Sequence, residues 1–173
     1  MEYSFLITST LGDEYRILFI PAEEQNLSPI VQHVLHEKNI DITELIIDRV
    51  SGENATPQNV LHTIVGRIAD IFADHPNLII FYSCDDCNPI PARNPSSPNR
   101  NMPVQEYRSR LFNRLFDTYM ASHHVSGISN TPIRINGQGY SLFMYLISRE
   151  EHQCVVELVK DDIRQGYSKP DVE

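Results

Sequence analysis

After Asn77, the run Leu78-Ile79-Ile80-Phe81-Tyr82 is apolar at every position. A strand built from it presents hydrophobic side chains to both faces of a sheet, because successive side chains alternate. Such a strand is stable where both faces are covered, so it belongs in the middle of a sheet with helices packed on it. His75-Pro76 just before it ends the preceding segment, since proline cannot continue a helix.

The flanking pattern supplies that sheet. Tyr3 to Thr8 and Tyr15 to Ile20 are rich in aromatic and branched residues and are joined by Leu11-Gly12-Asp13, which reads as an N-terminal hairpin. Ser28-Pro29 opens a short amphipathic helix over 28–38, and Ile42 to Val50 forms a third strand stopped by Ser51-Gly52. Thr56-Pro57 repeats the helix-start signal, and Val60, Leu61, Ile64, Val65, Ile68, Ile71 and Phe72 keep helical spacing. A helix over 104–121 is expected to turn Val104, Tyr107, Leu111, Leu115 and Tyr119 inward. Thr131 to Asn136 and Tyr140 to Ile147 flank Gly137-Gln138-Gly139 as a second hairpin. A closing helix from Ser148 to Gln165 is stopped by Gly166. The predicted fold is α+β: one mixed, largely antiparallel sheet with N- and C-terminal hairpins and helices packed on it. A single domain over 1–173 is expected, with a Pro/Asn-rich loop at 88–103 and a frayed tail from 168.

Charge and targeting narrow the classes. The net charge of −9 disfavours a protein that coats nucleic acid or anionic membrane. No apolar run approaches the ~20 residues of a membrane-spanning helix. Glu2 stands where a signal peptide wants a positive charge, and three cysteines do not make a disulfide framework. These features lead us to expect a cytoplasmic protein.

One locus stands out. Ser83-Cys84-Asp85-Asp86-Cys87 follows the central strand, where side chains past a strand's carboxyl end are common places for chemistry. Residues 93–114 hold Arg93, Arg100, Arg108, Arg110 and Arg114 against the single acid Glu106, a net +4 that leaves −13 on the rest. Arg108 falls near the middle of the expected inward face, where an unpaired guanidinium is costly. Asp85 or Asp86 is the natural bidentate partner. That pair reads first as a structural clasp and second as the lining of a pocket for an anionic or metal-bearing ligand. A shifted helix register would instead leave Arg108 exposed. Cys84 and Cys87 have the spacing of a redox pair or half a zinc site, but no second matching pair exists, so a structural role comes first. His33 with His36 reads as a solvated helix face, and His123-His124 as loop.

The parts Thr63-Ile64, Cys84-Asp85, Arg108-Ser109-Arg110-Leu111-Phe112 with Leu115-Phe116, and the strand from Tyr140-Ser141-Leu142 to Ser148-Arg149 form a pattern. It resembles an uncharacterised family of short cytoplasmic bacterial proteins, a domain of unknown function with a C-D … R-x-R-L-F signature. The chain departs from the family in its Pro/Asn loop and in Leu115, where the family more often has Trp. The resemblance implies no activity; it highlights Cys84, Asp85, Arg108 and Arg110.

The expected function is a non-enzymatic protein-binding or accessory role, with Arg93, Arg100 and Tyr107 as the partner-binding loop. The alternative is a small metal-assisted hydrolase or nuclease-like enzyme using Asp85 or Asp86 with Arg108. Weak nucleic-acid binding through 93–114 ranks third. No cofactor and no resident metal are expected, and the partner implied is a protein rather than a membrane or nucleic acid.

Overall fold

Six strands form one sheet in the order β1-β2-β3-β4-β6-β5. They are β1 (Tyr3–Thr8), β2 (Glu14–Pro21), β3 (Asp41–Ser51), β4 (Leu78–Cys84), β5 (Ile128–Asn136) and β6 (Ser141–Arg149). The helices are α1 (Pro29–Lys38), α2 (Gln58–Asp74), α3 (Val104–Ser122) and α4 (Gln153–Ser168). The computed structural model describes residues 2–54, 56–84, 101–136 and 141–168. Only β3 and β4 run parallel, with Thr43 opposite Ile80; every other neighbouring pair is antiparallel. Helix α2 carries the chain between these two parallel strands, the crossover that a parallel pair requires. The fold is α+β with a mixed, mostly antiparallel open sheet, as the sequence pattern implies.

Strand β4 explains the layering. Leu78, Ile80 and Tyr82 pack into the core under α2 and α3 with Ile17, Phe19, Ile64, Ile68 and Phe116. Ile79 and Phe81 pack into the opposite core with Val31, Leu35, Val156 and Val159 of α1 and α4. β6 repeats the device, with Tyr145 and Ile147 on the first side and Met144 and Leu146 on the second. These two strands are adjacent, so the doubly covered part of the sheet is continuous.

Element ends moved where tertiary pairing outweighed local signals. Ser148 does not open a helix. It is fully buried in β6, opposite Ile79 on one side and Ser129 on the other, and α4 starts only after a 3-10 turn at 150–152. Gly166 lies within α4, exposed, and does not end it. β5 begins earlier than the pattern indicated, at Ile128, after Gly127 with φ 77°. The Gly137-Gln138-Gly139 turn and most of the 88–103 loop lie outside the described residues, as does the tail beyond Ser168.

Candidate functional site

The end of β4 meets the first turns of α3 and the start of β6. Helix α3 buries Ser109, Phe112, Leu115, Phe116 and Met120. Of the expected inward set, Leu115 is buried and Tyr119 packs partly against the core; Val104, Tyr107 and Leu111 are half-buried. The face rotated because β4 and β6 present an aromatic layer. Tyr82 and Tyr145 stack with centroids 4.7 Å apart, and Phe112 lies on Tyr82 at 4.4 Å. Two phenylalanines four residues apart fit that layer better than Tyr107 and Leu111 do.

This rotation changes the position of Arg108. At 3.6 residues per turn it lies roughly 70° round from the centre of the buried face, on a flank, and it is half-buried. Arg110 points outward and pairs with Glu106 one turn earlier, at 2.7 Å. Cys84 is half-buried at the last position of β4, opposite Phe143. Tyr107 is half-buried. Asp85, Asp86, Cys87, Arg93 and Arg100 lie outside the described residues, so the expected Arg108–aspartate pair does too. Away from the locus, His33 and His36 are exposed on α1, His33 beside Glu37 at 3.4 Å, and His123 terminates α3. Among the described residues no group of three or more His, Cys, Asp or Glu could hold a metal ion.

What the structure assembles instead is a polar chain beneath α3. Ser109 Oγ hydrogen-bonds Tyr145 Oη, which also accepts from Asn113 Nδ2 at 3.1 Å. Asn130 Nδ2 of β5 donates to Asn113 Oδ1 at 2.8 Å. Tyr82 Oη and Asn130 Oδ1 are both buried, and a hydrogen bond to Asn130 partly opposes the effect of burial on the Tyr82 hydroxyl. Burial, then the neighbouring Cys84 and Tyr145, pushes the Tyr82 hydroxyl well above its ordinary range. Burial also raises Tyr145, opposed by the Ser109 hydrogen bond. Both phenols therefore stay protonated near neutrality, and Tyr145 cannot act as a base toward Ser109. The chain ties α3 to β5 and β6; it does not activate a nucleophile. Its sequence signal was Ser109 and Asn113, two polar residues one turn apart beside Phe112 and Phe116.

Two further surfaces emerge from the tertiary structure alone. A cavity of about 350 Å³ opens where β4 ends and β6 begins, lined by Glu44, Phe81, Cys84, Gln105, Leu142 and Tyr167 among others. Beside it, the described residues cover the α1/α4 face of β1, β2 and β3 only in part. Leu6, Leu18, Ile20 and Ile46 belong to neither core; Leu18, Ile20 and Ile46 are half-buried and Leu6 is 68 % exposed. Register places Ser4 opposite Leu18 and Leu18 opposite Ile46 across the three strands. Arg16 and Asp48 form an ion pair of 2.9 Å on the same face. No helix of the described residues is long and apolar enough to cross a membrane. The chain matches no family model, no curated protein and no solved structure.

Proposed function

We propose that this is a non-enzymatic binding protein that engages a protein partner through the partly covered half of its sheet. The observation that carries the reading is the apolar patch of Leu18 and Ile20 on β2 and Ile46 on β3, with the 68 % exposed Leu6 on the edge strand diagonal to Leu18 and opposite Arg16. Isolated exposed leucines are ordinary, but an apolar patch rimmed by polar groups, here Ser4, the Arg16–Asp48 pair and Glu44, supports an interaction site. The edge adds to this. β1 carries no charge from Tyr3 to Thr8, and its outer backbone groups can pair with an incoming strand. Arg110, occupied by Glu106 on the far side of the sheet, contributes nothing to that surface.

The test is recovery of a stoichiometric partner by the full chain in cells that make it. Leu6→Lys is expected to abolish recovery, whereas Leu158→Lys, at another exposed leucine, leaves it unchanged. Equal recovery by both variants would refute the reading. The hydrolase alternative rests on Asp85 and Asp86, and no observation on the described residues favours it.

A further inference from the structure

We infer that the cavity beside this face receives an organic cation, the lysine or arginine side chain of the bound partner. The inference builds on the proposed docking face and names the chemistry of what docks there. Glu44 of β3 sits between Ile20 of β2 and Phe81 of β4 in one cross-strand row, so its carboxylate lies where the apolar face meets the cavity. It is half-buried, yet no cation of the described residues pairs with it. The contrast with its neighbour is informative: Asp48 on the same strand face is held by Arg16.

Three features converge on positive charge. The first is the unpaired carboxylate, the natural partner of an ammonium or guanidinium. The second is aromatic: Phe81 and the half-exposed Tyr167 line the cavity, and ring faces attract cations. The third is α4 itself, because Tyr167 lies in its last turn and the carbonyls there make that end partly negative. Leu142 and Met144 complete the wall with apolar surface, suited to the methylene stem of a long basic side chain. A partner segment with apolar residues over Leu18 and Ile46 and one basic residue at Glu44 satisfies both halves of the surface. Glu44 and Phe81 lie on the α4 side of the sheet; the cavity reaches round the end of β4 to Cys84 and Gln105, and its lining includes none of Ser109, Asn113, Asn130 or Tyr145.

The experiment is a titration of the isotope-labelled full chain with n-butylguanidinium and n-butylammonium chloride, followed by amide shifts in NMR, with uncharged N-butylurea as control. Both cations are expected to move the amides of Glu44, Phe81 and Tyr167, and Glu44→Gln is expected to weaken them by about tenfold. N-butylurea binding as well as the cations, or cation binding untouched by Glu44→Gln, would overturn the inference. The two readings fail separately. Leu6→Lys should abolish partner recovery while leaving the cation titration intact. Probe binding with no partner recovered sinks the docking face and the assignment of the cation to a partner's side chain, and leaves only a site for a free organic cation.

Discussion

Asp13 ends the turn between β1 and β2 and holds it to the loop before α2. Its carboxylate accepts from the Asn54 amide at 3.0 Å, from Asn54 Nδ2 at 3.1 Å and from Ser9 Oγ at 3.2 Å. Burial would raise its pKa, but the hydrogen bonds from Asn54 and Ser9 and the Arg49 charge outweigh it and hold the value below the ordinary 3.8. A depressed folded-state pKa stabilises the protein above the unfolded value and loses that contribution as pH falls through the folded one. Wild type should therefore lose stability below pH 3.8 more steeply than Asp13→Asn, as measured by urea unfolding across the acid range. Gly52 leaves room for this clasp. Its φ is 88°, and an added Cβ would collide with the Asp13 carboxylate. Gly52→Ala is expected to cost about 1–3 kcal/mol. Gly12→Ala, with φ 85° but open space, should cost less because only the backbone strain applies. Equal denaturation midpoints for the two would remove the steric account. The buried hydroxyls give a second contrast. Tyr145→Phe strips partners from Ser109 and Asn113 and should cost about 1–2 kcal/mol. Thr43 Oγ1 is buried without a partner, so Thr43→Val should be neutral or stabilising by thermal melt.

Among the elements, those whose periodicity had one solution were legible in the sequence. β4 has no polar face to show, so it had to be central, and it is. α2 carries its buried set Val60, Ile64, Val65, Ile68 and Phe72 as the spacing indicated. α3 was ambiguous because two apolar stripes interleave, and the choice fell to the Tyr82–Tyr145 layer on the sheet, which spacing along the helix does not encode. The start of α1 shows a related divergence. Ser28 occupies the N-cap position with extended backbone, but its hydroxyl makes no capping bond. Its amide donates instead to Asp162 Oδ2 of α4 at 2.8 Å, so the two helices on that face are stitched end to flank. Asp162→Ala is expected to lower stability by about 1 kcal/mol, whereas Ser28→Ala should cost markedly less than an ordinary cap residue. A reversed order in chemical denaturation would restore the hydroxyl cap.

At the scale of the molecule, the sheet has two unlike edges. β5 carries Pro132 and Arg134, which suit an edge that must not pair. β1 lacks both proline and charge from Tyr3 to Thr8 and borders the partly covered apolar face. Leu6→Lys should change stability by no more than about 0.5 kcal/mol, since the side chain is 68 % exposed, while removing association. A large stability loss in the melt would mean that Leu6 is structural and the face is not a free surface. The sequence by itself determined the strand and helix inventory, the two hairpin pairings and the central place of β4, because hydrophobic period and turn chemistry act within short stretches of chain. Only the tertiary structure decided which stripe of α3 is buried, that Ser109, Asn113, Asn130 and Tyr145 share one hydrogen-bonded chain, and that Glu44 faces a cavity beside the half-buried Leu18, Ile20 and Ile46. Those are consequences of where helices stop covering a sheet, and coverage is set by contacts between residues far apart along the chain.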